Sequence, residues 1–232
     1  MLKKLFKELK IYFWDWPDGL VWKLTEKPTL SSREKKYKLF IKLIHPKPEE
    51  TILDVGVAPF VFRTTNFLEQ WYPYPEKTTA ITNDDLKEYI DFKKYFPKVN
   101  LIFGDGKNLS FPDNHFDIVF CNAVVEHVGN RNAQKQFIHE IVRVGKRMFV
   151  TTPNYWFPVD FHTLIPFAHW FPQKIKNLIY KILNKEFYAN PKNLNLLSYK
   201  KFLLLFPKHV NVKIIKQRYL GLITNFIAIV KK

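Results

Sequence analysis

Side chains that can hold or move protons recur along the middle of this 232-residue chain, each just after a short apolar run. Asp54 and Gly56 close the run Thr51-Ile52-Leu53-Asp54-Val55, and Asn83-Asp84-Asp85 follows Thr79-Ala80-Ile81-Thr82. Asp105 stands between Gly104 and Gly106 after Asn100–Phe103, while Asn122-Ala123 and then Glu126-His127 follow Asp117–Cys121. Acids and amides at successive positions of this kind suit a ligand rich in hydroxyls and amines, cationic rather than polyphosphate. Neither G-x-G-x-x-G nor a P-loop lysine motif is present, which argues against a dinucleotide or a nucleoside triphosphate. His127 and His162 are the general-base candidates, because imidazole titrates near neutrality. Glu126 either orients a histidine or caps the helix that follows it. The single cysteine, Cys121, excludes an internal disulfide and a multi-cysteine zinc site, and no metal is expected.

Strands and helices must place these groups. The apolar runs ending at Val55, Thr82, Phe103 and Cys121, with Arg147–Thr151, read as five strands. Helical patterns fill the intervals near 63–72, 85–95 and 131–143. Apolar strands alternating with helices imply a parallel sheet covered on both faces, with ligands bound outside the carboxyl ends of the strands. Helices near 173–184 and 198–206 follow, then Val210–Tyr219 and Leu222–Val230 flank Gly221 as an antiparallel hairpin. Upstream, Ser31-Ser32 marks a helix start, and that helix runs to about Ile44, before His45-Pro46. Leu2, Leu5, Phe6, Leu9 and Phe13, interleaved with lysines, make Met1–Leu24 a basic amphipathic helix.

These residues resemble the class I S-adenosylmethionine-dependent methyltransferases, specifically the small-molecule group called type 11, from about Thr51 to Pro172. Phe111-Pro112-Asp113-Asn114-His115-Phe116-Asp117-Ile118-Val119 is the most specific stretch, with Glu126-His127-Val128 opening the next helix and Val150–Asn154 as fifth strand and turn. The resemblance implies an α/β fold: a doubly wound, Rossmann-like sheet, mostly parallel with a C-terminal antiparallel hairpin and helices on both faces. It implies S-adenosyl-L-methionine as cofactor, with Asp54 and Gly56 beneath its methionine moiety. Asn83 and Asp84 then take the ribose hydroxyls, Asp105 and Gly106 the adenine, and Asn122 and Ala123 border the sulfonium. One departure stands out: after Gly56 the chain has Ala58, Pro59 and Phe60 where many members have glycine at alternate positions.

The expected organisation is an N-terminal extension, 1–48, and a methyltransferase domain, 49–232, in which 153–209 is a substrate-covering insertion. Residues 153–172 hold seven aromatics and four prolines, composition suited to a stiff, water-excluding cover over the acceptor, with His162 in contact with it. Methyl transfer to a small-molecule, lipid-linked or saccharide-linked acceptor is the leading expectation. An RNA methyltransferase and a non-catalytic methyltransferase-fold module at a membrane surface are the alternatives. The net charge of +16 is concentrated at the ends: residues 173–232 carry 13 basic side chains and one acid. That distribution suits peripheral contact with an anionic membrane. Nucleic acid is disfavoured, because the fourth strand ends in Asn122-Ala123-Val124-Val125 and not an Asn-Pro-Pro-Tyr-like turn. No run approaches the roughly 18–20 apolar residues of a spanning helix, so a cytoplasmic protein is expected.

Overall fold

Short runs of Val, Ile, Leu and Phe become strands because both sheet faces are covered. The computed structural model describes residues 20–232, and the expected helix over Met1–Leu24 lies, up to residue 19, outside the described residues. The strands are β1 (Ile52–Val55), β2 (Thr78–Thr82), β3 (Asn100–Phe103), β4 (Phe116–Asn122), β5 (Gly145–Pro153), β6 (Asn211–Tyr219) and β7 (Leu222–Lys231). They form one seven-stranded sheet in the order β3-β2-β1-β4-β5-β7-β6. Pairs from β3 through β5 are parallel, whereas β7 runs antiparallel to both β5 and β6. Strand order reverses between β1 and β4, the place where open α/β sheets leave a crevice for ligands. The β6–β7 hairpin turns on Leu220 and Gly221, both at positive φ (48° and 81°), the conformation that matches the twist of a two-residue turn.

Residue alternation along the central strands assigns the faces. Val119, Cys121, Met148 and Val150 pack on one side with α4 (Arg131–Val144) and α7 (Tyr199–Leu203), through Phe137, Ile141 and Phe202. Ile118, Phe120 and Phe149 face the other side, against α1 (Leu20–Ile44) and α2 (Phe67–Trp71), through Phe40, Ile44, Phe67 and Leu68. The edge near β2 is covered by α3 (Ile90–Tyr95), with Phe92 and Tyr89 buried on Val57 and Ala80. The expected doubly wound sheet, hairpin included, is therefore the observed fold. Cys121 is a fully buried thiol in the core.

Helix α1 differs from its expected start. It is already helical at Leu20, upstream of Ser31, and carries Pro28 inside it. Ser31-Ser32 does not cap, because Gln217 on β6 takes Ser32: its Nε2 donates to the Ser32 carbonyl at 2.9 Å and its Oε1 accepts from Ser32 Oγ at 3.3 Å. A tertiary partner thus overrides a local helix-start signal. The specific Phe111–Val119 stretch is clamped to α4 by Arg143, which donates to the carbonyls of Leu109 and Phe111 and to Asp113 while pairing with Glu140. After β5 come α5 (Gln173–Ile182) and α6 (Glu186–Ala189). Among the described residues no helix is long and apolar enough to cross a membrane.

Candidate active site

Two cavities meet at the carboxyl ends of β1 and β4. The first, about 420 Å³, is walled by Gly56, Asn83, Gly104, Asp105, Gly106 and Phe137, with His127 and Val128 at its inner end. The second, about 510 Å³, is walled by Arg33 and Lys36 from α1, Phe60 and Thr64 from the loop after β1, Ala123, and Phe161, His162 and Tyr188 from the segment after β5.

The loop after Gly56 explains how the chain tolerates Ala58-Pro59 where glycines were expected. Gly56 sits at φ 91°, and a Cβ there would stand 2.4 Å from Val124 Cγ2, so this position admits only glycine. Beyond it the loop folds around Asn66, whose Oδ1 accepts from Ala58 N at 2.8 Å while its Nδ2 donates to the Ala58 and Phe60 carbonyls. Side-chain hydrogen bonds hold the path that glycines would otherwise permit.

Of the expected cofactor residues, Gly56, Asn83, Asp105 and Gly106 line the first cavity together. Four others do not. Asp54 is buried facing Glu69, and burial first, then the neighbouring carboxyl, pushes its pKa up; it does not line the first cavity. Asp84 accepts from the Tyr89 hydroxyl at 3.2 Å, so Asn83 is the residue of that pair facing the cavity. Asn122 Oδ1 is taken by Lys36 Nζ at 3.0 Å and Thr151 Oγ1 at 2.8 Å. Ala123, at φ 57°, lines the second cavity. Asp105 also holds its own turn, accepting from Lys107 N at 2.9 Å.

The three expected catalytic residues do converge. His127 reaches the junction from the first cavity and His162 from the second, and their Nε2 atoms are 2.9 Å apart. His127 Nδ1 donates to the Asn193 carbonyl at 2.8 Å; His162 Nδ1 is held by Asp160 Oδ1 at 2.7 Å. Glu126 lies fully buried beside them, its Oε2 accepting from Thr152 Oγ1 at 3.0 Å. Burial lowers the His127 pKa, offset in part by Glu126. Burial also works against a charged His162, but the Asp160 carboxylate outweighs it and raises the pKa.

Sequence reading missed Arg33, Lys36 and Asp160. Lys36 is buried, and burial followed by the nearby Arg33 lowers its pKa to about 7. A signal existed: Ser32, Lys36, Phe40 and Ile44 fall on one face of a helix at four-residue spacing, with the last two plainly core residues. Asp160 was legible as Asp-x-His, since its Oδ1 also accepts from His162 N. Among the described residues, Arg33 Nε is buried without a hydrogen-bond partner and no acidic side chain lines the second cavity.

Residues 64–148 match the family pattern described as "Methyltransferase domain". No curated protein matches the chain in sequence. Solved structures of similar fold include the PH0226 protein of Pyrococcus horikoshii, 13% identical over 98% of both chains with a TM-score of 0.59. Another is the N-methyltransferase NodS of Bradyrhizobium japonicum in complex with S-adenosyl-L-homocysteine, 11% identical over 98% of this chain and 97% of that one, with a TM-score of 0.57. A SAM-dependent methyltransferase of Methanosarcina mazei is 17% identical over 82% of this chain and 96% of that one, with a TM-score of 0.50. The first cavity fits such a cofactor chemically. Its wall at Gly104 and Gly106 is bare backbone, since a Cβ would meet Ile81 at 2.6 Å and Phe137 at 2.4 Å, and beside it stand Asn83 and the Asp105 carboxylate, whose Oδ2 lies 3.4 Å from Lys107 Nζ, groups of the kind that bind hydroxyls and amines.

Proposed function

We propose that this chain, a class I S-adenosylmethionine-dependent methyltransferase by its domain and fold, methylates a hydroxyl oxygen on a small-molecule, lipid-linked or saccharide-linked acceptor that bears an anionic group. When bound, S-adenosylmethionine supplies a methyl group on a positively charged sulfur; Gly56, Asn83, Gly104, Asp105 and Gly106 would hold it. The observation that carries the reading is the imidazole pair lying between a cofactor-type cavity and a second, basic cavity.

The role of each group follows from its surroundings. Methyl transfer is an in-line displacement, so holding the acceptor oxygen in line supplies much of the acceleration. An oxygen acceptor must also lose its proton, and the His127–His162 junction is where imidazole nitrogens border the second cavity and that oxygen would be set. Phe60, Phe161 and Tyr188 exclude water around it. Arg33 and Lys36 place positive charge in the wall itself, where among the described residues no carboxylate joins them, Glu126 and Asp160 lying behind the lining; that charge favours an acceptor carrying phosphate or carboxylate.

Support for a lipid-linked acceptor comes from the outer face of the cover. On α5, Ile175, Leu178 and Ile182 are exposed, as are Phe171 and Phe187 beside it, and Lys174, Lys176 and Lys181 alternate with them. A helix of that pattern suits the surface of an anionic bilayer.

Calorimetric titration with S-adenosylhomocysteine tests the reading. Micromolar to millimolar binding is expected, weakened roughly tenfold in Asn83→Ala through loss of about one hydrogen bond. His162→Asn should leave that affinity in place while turnover of a phosphorylated hydroxyl acceptor falls by about 10²–10⁴. Absence of binding at millimolar S-adenosylhomocysteine would overturn the proposal.

A further inference from the structure

The hydrogen bonds around His127 and His162 fix more than their orientation. Each ring commits Nδ1 to an acceptor, Asn193 carbonyl in one case and Asp160 carboxylate in the other. That leaves two Nε2 atoms aimed at each other across 2.9 Å. Two lone pairs at that separation repel unless something positive lies with them. A single shared proton would satisfy the pair, but it leaves Glu126 Oε1 unanswered. That oxygen is buried, has no hydrogen-bond partner, and lies 3.9 Å from His162 Nε2. Burying an unpartnered carboxylate oxygen is costly.

We infer that Glu126, His127 and His162 together hold one divalent cation of the zinc, manganese or iron type, at the junction of the cofactor and acceptor cavities. The three ligand atoms lie within 4.8 Å of one another. Atoms bound to one ion at about 2.0–2.2 Å stand roughly 3–4.4 Å apart, so small side-chain adjustments suffice. Two imidazoles and one carboxylate are a donor set suited to such ions. The outer contacts are of the kind that orient metal-bound histidines: a carboxylate behind one ring and a backbone carbonyl behind the other. Glu126 and Asp160 carry the negative charge that offsets the ion and the nearby Arg33 guanidinium. Among the described residues three supply ligands, so positions stay open toward the second cavity, where His162 already forms part of the wall. There the ion would bind the acceptor hydroxyl: the O–H bond breaks, the electron pair stays on the metal-bound oxygen, and the proton leaves to solvent. This role rests on the methyl-transfer reading; the site itself does not.

The test titrates chelator-treated full-length protein with Co²⁺ and follows visible ligand-field bands, with S-adenosylhomocysteine affinity measured in parallel. One equivalent of Co²⁺ should bind with bands shifted by nitrogen ligation, and Zn²⁺ should displace it. Glu126→Gln and His162→Asn should each weaken Co²⁺ at least 10–100-fold, the range seen when a site loses a supporting group. His209→Asn, altering an exposed histidine elsewhere, should bind as wild type. If Glu126→Gln does not fold, the wild-type spectrum and His162→Asn still decide. No Co²⁺ bands, or bands unchanged in His162→Asn, overturn the cation site whatever the S-adenosylhomocysteine result. Bands without S-adenosylhomocysteine binding keep the site and overturn methyl transfer.

Discussion

Lys36 shows how burying a cation in a cavity wall acts on stability at one residue. Its side-chain amine is buried at the second cavity with Asn122 Oδ1 as hydrogen-bond acceptor, and its pKa is lowered from 10.5 to about 7 by burial and by Arg33. Between those two values the unfolded chain binds more protons than the folded one, so stability contributed by this group rises as pH rises through that window. Below pH 7 the charging penalty is present in full. Lys36→Met is expected to be more stable than wild type at pH 6 by roughly 2–5 kcal/mol, the order set by the pKa difference. The gap should shrink toward pH 10, as read by urea unfolding across pH. The same variant should raise KM for an anionic acceptor. A gap that does not change with pH would mean that Lys36 is not the desolvated cation its burial implies.

Among the elements, the start of β1 is tied to its neighbours by one side chain. Asp117 on β4 accepts from Thr51 N and Oγ1, both at 3.0 Å, and from Lys146 Nζ on β5 at 2.7 Å. Partial burial alone would raise its pKa, but Lys146 and Thr51 together lower it to about 2. A depressed carboxylate adds stability above its unfolded pKa of 3.8, and that contribution is lost as pH falls toward 2. Asp117→Asn should therefore cost about 1–2 kcal/mol at neutral pH in chemical denaturation. The deficit should vanish as pH falls from 3.8 to about 2; a cost that persists there would point to packing instead. Helix α1 joins the same framework through Phe40 and Ile44, which is how a segment outside the strand–helix alternation comes to wall the second cavity.

For the whole molecule, charge and exposed apolar surface point the same way. The net +16 is densest after residue 173, where α5 exposes Ile175, Leu178 and Ile182 among lysines. The chain should sediment with vesicles containing phosphatidylserine and not with neutral phosphatidylcholine vesicles. Binding should fall as salt shortens the Debye length from about 10 Å at 0.1 M to about 3 Å at 1 M. Leu178→Asp should weaken it several-fold by removing apolar contact and adding repulsion. Equal binding to neutral vesicles would remove the electrostatic basis for a lipid-surface location.

The strands, their parallel sheet and the terminal hairpin could be read from the chain, because apolar runs of strand length and turn residues such as Gly221 are local signals. So could the gathering of Gly56, Asn83, Asp105 and Gly106 around one cavity, since each follows a strand and strand ends share one rim. Which way a polar side chain turns is a different matter. Asp54 faces Glu69, Asp84 turns to Tyr89 and Asn122 to Lys36 because partners distant in sequence or on another turn compete for them. His127 and His162 are 35 positions apart, and only the path of the chain after β5 brings their ring nitrogens together with Glu126. Local sequence decides where the backbone bends and which faces are apolar; long-range packing decides which buried polar atoms must satisfy one another, and that choice makes the site.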